Sequence, residues 1–364
     1  MREKTTKYCV KKTSKHLQAV VWQSLRLLCA AAVLAAAAGC GQAAPDGETR
    51  NIKIGVSIYD QYDTFIGLLT DRFLRLAREK EEALDTTITI LQESAAGSQM
   101  DQNAQVEDFI QSGCDVICIN IVDRTDASVI IDLAETAEIP VIFFNRELVE
   151  EDLERWSKLY YVGAMALQSG RLQGRILIDL CRSDFKKVDR NGDGLLQYVM
   201  LEGEAGHQDA IMRTQYSVST VEAAGYRLER LGDEIANWNR AQADNKMTQF
   251  LEAHANAIEV VFSNNDEMAL GTIDALHRAG VAPEDWPVVL GIDGTPAALQ
   301  ALQKGEMTGT VLNNALGQAQ GMLDLACAVA TGSPLPDDLE DGKYIRLPYE
   351  TITPANVAKY IEAS

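Results

Sequence analysis

From residue 52 onward, apolar runs of four or five residues alternate with longer amphipathic stretches. Ile52-Lys53-Ile54-Gly55-Val56-Ser57-Ile58 predicts a strand and 65–81 a helix. Strands over 87–91, 116–119 and 141–144 follow, separated by helices over 99–111 and 126–137. A second series opens at Tyr160-Tyr161-Val162, with helix 167–181, strand 198–201, helix 210–224, strand 226–231, helix 240–254, strand 258–262 and helix 267–279. Strand 288–291, helix 296–304, strand 308–312 and helix 318–331 complete it, and 344–349 reads as a strand before a short helix. Short apolar runs between amphipathic helices imply parallel sheets covered on both faces. Two such series predict an α/β protein of two doubly wound, Rossmann-like lobes.

The first forty residues break this pattern. Up to Gly39 they carry seven Lys or Arg and one acid, and an apolar stretch rich in Leu and Ala ends at Gly39-Cys40. A basic start, an apolar run of about a dozen residues and small residues at its end form a signal peptide. Ala37-Ala38-Gly39-Cys40 also matches a bacterial lipoprotein box, with Cys40 as the lipidated residue of a chain anchored outside the cytoplasm. Ordinary secretion and an uncleaved anchor are the alternatives. Residues 41–50 are small and polar and read as a tether.

Charge narrows the partners. The chain carries 33 Lys and Arg against 53 Asp and Glu. Without residues 1–39, 26 bases face 52 acids, a net charge near −26. Nucleic acid and anionic headgroups are therefore excluded as partners of the mature surface, and the membrane is reached through the lipid anchor only. Cys114, Cys118, Cys181 and Cys327 lie in predicted strands and helices without metal-ligand spacing, and read as small buried apolar residues.

Asp189 to Gln197 read D-R-N-G-D-G-L-L-Q. Asp189, Asn191, Asp193 and Gln197 stand at positions 1, 3, 5 and 9 of a calcium loop, with Gly194 at the sharp turn and Leu195 offering its carbonyl. Met200 occupies position 12, where a bidentate Glu is usual. Either a carboxylate from elsewhere completes the shell, or the loop is a polar turn.

Ligands of open α/β sheets bind beyond the carboxyl ends of the strands. The residues there are Asp63 and Phe65, Asn120, Glu202 through Arg213, Asn264 to Asp266, Asp293, and Asn313 with Asn314. Planar amides, carboxylates and an Arg hydrogen-bond vicinal hydroxyls, and Phe65 and Trp238 offer flat apolar faces, a combination suited to a pyranose. Any one of these polar residues is equally a helix cap or turn former. Six strand ends carrying them together are less easily capping throughout. No G-x-S-x-G, phosphate loop or G-x-G-x-x-G following a strand is present, so the chain reads as a binding protein and not an enzyme.

These residues resemble the galactose/glucose-binding proteins of bacterial sugar uptake, within the type I periplasmic-binding-protein fold. The matching stretches include Ile58-Tyr59 with Asp63 and Phe65, Ile119-Asn120, the loop from Asp189 to Gln197, Gly206-His207-Gln208-Asp209-Ala210 with Arg213-Thr214, Trp238, Asn264-Asn265-Asp266, Gly291-Ile292-Asp293 and Leu312-Asn313. The resemblance covers about residues 51–350. It implies that Phe65 and Trp238 sandwich the sugar ring. It further implies that Asp63, Asn120, His207, Asp209, Arg213, Asn265, Asp293 and Asn313 are its hydrogen-bond partners, with Asp63 admitting both epimers at the 4-hydroxyl. Glu259 then supplies the missing calcium carboxylate, and the ion is structural.

The implied lobes are 51–145 with 314–346, and 146–313 with 347–364, joined by a three-segment hinge near Asn145, Asn313 and Leu347. The implied function is that of the monomeric substrate-binding component of an ABC transporter, which closes on D-galactose or D-glucose and presents the closed form to a membrane permease. Another monosaccharide, or a sensory role toward a chemoreceptor or histidine kinase, fits the same residues.

Overall fold

The computed structural model describes residues 51–84 and 86–361. The expected signal peptide, the expected lipid site at Cys40 and the expected tether therefore lie outside the described residues. The first sheet contains β1 (Asn51–Ile58), β2 (Thr87–Ser94), β3 (Val116–Ile119), β4 (Val141–Phe144), β5 (Leu159–Gly163) and, from the far end of the chain, β11 (Tyr344–Arg346). Their order is β11-β5-β4-β3-β1-β2, and all pairs are parallel. β3, Val-Ile-Cys-Ile, is buried at every position because helices cover both faces. Helices α1 (Thr64–Leu84) and α10 (Ala315–Thr331) pack on one face around Phe73, Val56 and Met322. Helices α2 (Gln99–Gln111), α3 (Ser128–Ala137) and the single turn α4 (Glu150–Leu153) cover the other, around Phe109, Ile117 and Ile131.

The second sheet holds β6 (Leu196–Glu202), β7 (Leu228–Ile235), β8 (Val260–Ser263) and β9 (Val288–Leu290), in the order β7-β6-β8-β9. Single bridges at Leu290–Gly309 and Asp293–Leu312 extend it to β10 (Thr310–Leu312), which pairs antiparallel with β12 (Glu350–Ile352). Helices α5 (Ala166–Val188) and α6 (Gln208–Ala223) lie on one face; α7 (Arg240–His254), α8 (Asp266–Ala279), α9 (Pro296–Lys304) and α11 (Val357–Ile361) cover the other. The fold is thus α/β, with two parallel-sheet lobes. No described helix is long and apolar enough to cross a membrane. Cys114, Cys118, Cys181 and Cys327 are buried free thiols.

Two expectations need correction. The sequence reading starts the second lobe at residue 146, with Tyr160-Tyr161-Val162 as its first strand. In the structure β5 pairs with β4 through Ile142–Tyr160 and with β11 through Tyr344–Tyr161, so it belongs to the first sheet. The first crossing falls after Gly163, where α5 joins the second core. The predicted strand 344–349 is also two strands in two sheets, β11 in the first and β12 pairing with β10, divided at Leu347 to Tyr349. The remaining crossing leads from β10 through Asn313 and Asn314 into α10, which Asn314 caps by accepting from Gly317 N.

Candidate functional site

The carboxyl ends of both sheets face one cleft. Tyr59, Asp63, Phe65, Ile66, Asn145 and Arg146 of the first lobe, with His207, Asp209, Arg213, Trp238, Asn265, Asp293 and Asn313, line about 350 Å³ of space between the lobes, part of it open to solvent. Of the ten candidates for sugar contact, nine are on this wall. Asn120 is not. It is fully buried, its Nδ2 donates to Phe144 O (3.1 Å) and Asn145 Oδ1 (3.2 Å), and its Oδ1 accepts from Tyr59 N (3.4 Å). In this form Asn120 braces Tyr59 and Asn145 from behind.

Each polar wall residue is set by the element it starts. Asp63 caps α1, taking Ile66 N on Oδ1 (2.9 Å), while Oδ2 accepts from Tyr59 Oη (2.6 Å). His207 caps α6: its Nδ1 accepts from Asp209 N at 3.0 Å, which leaves the proton of the neutral ring on Nε2. Burial and the nearby Arg146, Arg213 and Arg124 hold the His207 pKa well below the ordinary imidazole value. Asn265 caps α8, accepting from Met268 N (2.9 Å), and donates to Trp238 O (3.2 Å). Trp238 and Asn237 both have left-handed backbones, φ +61° and +50°, which turns the indole toward the cleft. Capping and site roles therefore coincide in the same side chains.

Arg213 stands at the centre. It donates to Asn264 O (2.8 Å) and to Asp209 Oδ2 (3.2 Å), and lies 3.8 Å from Asp293. Its guanidinium is 5.6 Å from the Trp238 ring centre. Its height along α6 is fixed by Gly170 of α5, where a Cβ would come within 2.9 Å of the Arg213 carbonyl oxygen. The Nε of Arg213 is buried and has no hydrogen-bond partner. Burial raises the carboxyl pKa of both Asp209 and Asp293, against the pull of Arg213. Asp293 has φ +129°, a conformation rare for a side-chain-bearing residue, and Asn313 hydrogen-bonds its carboxylate. Convergent donors and acceptors with an unpaired buried N–H, between aromatic faces supplied by opposite lobes, are fitted to a small polyhydroxylated ring.

Four wall residues were missed by the sequence reading: Tyr59, Ile66, Asn145 and Arg146. Asn145 and Arg146 directly follow β4, so the strand-end rule that selected the others covers them as well. Tyr59 directly follows β1, and Ile66 sits in the first turn of α1 beside Phe65.

Remote from the cleft, the loop joining α5 to β6 wraps on itself. Asp189 accepts from Gly192 N (2.8 Å) and Gly194 N (3.0 Å), and Asp193 from Leu195 N (2.8 Å). Glu259 reaches the loop from the start of β8, taking Arg190 N on Oε1 (2.6 Å) and Gln197 N on Oε2 (3.2 Å). Asn191 and Gln197 turn their amide nitrogens to Asp193 Oδ2, at 3.2 and 2.9 Å. The donors are the hard oxygens that calcium takes. Among the described residues, however, no three His, Cys, Asp or Glu side chains gather as a metal-holding group.

Residues 54–334 match the periplasmic binding protein domain family. The chain is 34% identical over 315 residues (85% of this chain, 92% of that one) to the D-galactose/methyl-galactoside-binding periplasmic protein MglB of Haemophilus influenzae. It is 27% identical over 307 residues (83% and 78%) to the xylitol-binding protein of Mycolicibacterium smegmatis. Its structure superposes with a TM-score of 0.71 and 31% identity on an ABC transporter solute-binding protein of Bacillus halodurans holding myo-inositol, covering 87% of this chain and 100% of that one. The chain therefore belongs to the periplasmic binding protein family, extracytoplasmic proteins that bind their ligands without converting them.

Proposed function

We propose that this protein is the sugar-binding component of an ABC transporter, and that its ligand is a pyranose, D-galactose or D-glucose. The observation that carries the reading is the convergence of Asp63, Asp209, Arg213, Asn265, Asp293 and Asn313 on one cleft whose wall also holds Phe65 and Trp238. Ring hydroxyls donate to the carboxylates and accept from the guanidinium and amide N–H groups, and the ring's C–H faces lie against the aromatics. Similarity to the galactose-binding relative supports the hexose. A cyclic polyol such as myo-inositol is the second reading, favoured by the bound ligand of the structural neighbour. Closure over the ring satisfies groups on both lobes at once, and only this differential affinity shifts the open–closed equilibrium. The closed form is what a permease reads.

The loop from Asp189 to Gln197, with Glu259, would hold a structural calcium ion through Asp189, Asn191, Asp193, the Leu195 carbonyl, Gln197 and Glu259. Rotation of the Asn191 and Gln197 amides exchanges N–H for oxygen at the centre. The ion neutralises the three carboxylates and ties α5, β6 and β8 together. Cys40 would carry the lipid that keeps the protein at the membrane.

Calorimetric titration of the purified protein with D-galactose, D-glucose, D-ribose and myo-inositol tests the ligand. Saturable binding of either hexose, tighter than of ribose or inositol, supports the reading. Preference for myo-inositol replaces it with the second, and no heat with any of the four overturns both.

A further inference from the structure

We infer that Arg146 and Glu204 form a latch between the lobes that sets how long the closed protein keeps its ligand. Arg146, 7% exposed, belongs to the first lobe. Its guanidinium lies 3.5 Å from the centre of the Tyr59 ring, and Nη1 donates to Val122 O at 3.1 Å. Those contacts aim Nη2 across the cleft, where it donates to Glu204 Oε2 at 2.9 Å. Glu204 follows β6 of the second lobe and has a side chain 34% exposed. Among the described residues, no other side-chain hydrogen bond or ion pair joins the lobes away from the three crossing segments.

Carboxylates of the two lobes also meet across the cleft. Burial raises the carboxyl pKa of both Asp293 and Glu267 of the second lobe, and Asp63 of the first adds to it as a like charge across the cleft. Among the described residues Arg146–Glu204 is the one ion pair between the lobes that offsets this repulsion before hydroxyls fill the gap. Glu204 is not on the ligand wall, whereas Arg146 is. Glu204 is thus a positioning residue acting through Arg146. The pair forms whenever the lobes meet, and with ligand already enclosed its loss shows in the dissociation rate. Its partial exposure makes it sensitive to salt.

The inference rests on the proposed sugar site for one arm of its test. Stopped-flow tryptophan fluorescence with the hexose bound by the wild type, at 20 mM and 1 M NaCl, compares wild type, Glu204→Gln and Arg146→Lys. At low salt Glu204→Gln releases sugar about three to ten times faster with an association rate within about twofold. At 1 M NaCl the difference shrinks, and Arg146→Lys, which keeps the charge, stays closer to wild type. Equal dissociation rates at low salt, a change confined to association, or a gap indifferent to salt overturns the latch. The second arm needs no ligand and is read if no sugar binds, a result that sinks the sugar site alone. Small-angle scattering of unliganded protein at low salt then gives a larger radius of gyration for Glu204→Gln than for wild type. Equal radii overturn the latch.

Discussion

Gly203 lies directly against the indole of Trp238: a Cβ built on Gly203 would come within 2.1 Å of the indole Cζ2. The ring that faces the cleft is thus seated on a bare stretch of backbone after β6. Removing the ring by Trp238→Ala takes away one stacking face, worth about 2 kcal/mol, or roughly thirty-fold in sugar affinity. Gly203→Ala keeps the ring but displaces it, and is expected to lower affinity at least tenfold. Calorimetry on both variants checks the assignment. Wild-type affinity in Trp238→Ala rejects the aromatic sandwich.

Asn265 separates a bracing role from a direct one. Its oxygen caps α8 and its nitrogen holds the Trp238 carbonyl. Asn265→Asp keeps the capping oxygen and loses the donor, so helix stability is preserved while sugar affinity falls. Asn265→Ala loses both, with about 1 kcal/mol of stability from the cap alone. Thermal melts alongside titrations distinguish the two. Equal melting temperatures for the Asp and Ala variants would contradict the capping role.

The strand–helix alternation was readable because both sheets are covered on both faces, leaving compact apolar runs such as Val116–Ile119. Which sheet a strand joins was not readable for Tyr160-Tyr161-Val162, since sheet membership is decided by pairing with Val141–Phe144 and with residues nearly two hundred positions later. The cleft was readable where strand ends carry amides and carboxylates. Asn120 obeys the same rule, but in this structure its side chain turns back to hold Asn145 and Tyr59. Arg146 was missed because an Arg after a strand looks solvent-facing. Its burial depends on the Tyr59 ring beneath it and on Glu204 from the other lobe.

Calcium is expected to raise the melting temperature of the protein, and chelator to lower it. At a free ion concentration a hundred times the Kd, the gain is about 2.7 kcal/mol. Asp193→Ala and Glu259→Gln each remove a carboxylate from the loop and should abolish that gain, with sugar affinity in saturating ligand assays little changed because the loop is remote from the cleft. Scanning calorimetry with calcium and with EGTA is decisive. A wild-type melting temperature indifferent to both removes the ion from this loop.

Asp266 governs the last expectation, the dependence of stability on pH. It is fully buried at the start of α8, accepting from Thr295 N (2.7 Å) and from Thr310 Oγ1 (2.5 Å). Burial pushes its carboxyl up to about 6, against which those hydrogen bonds pull. A carboxyl with a folded pKa above its unfolded value holds its proton more tightly when folded. The stability this gives is complete below the unfolded value and is lost as pH rises through about 6. Glu202, pushed up to about 7 by burial and by Asp233, acts with the same sign. The unliganded protein should therefore be more stable at pH 5 than at pH 7.5, by about 1–2 kcal/mol. Asp266→Asn keeps an oxygen for the Thr295 amide and a donor for the Thr310 hydroxyl, and carries no titrating proton. Its melting temperature should change less between the two pH values than that of wild type. Parallel pH profiles for the two proteins would show that Asp266 stays ionised across this range.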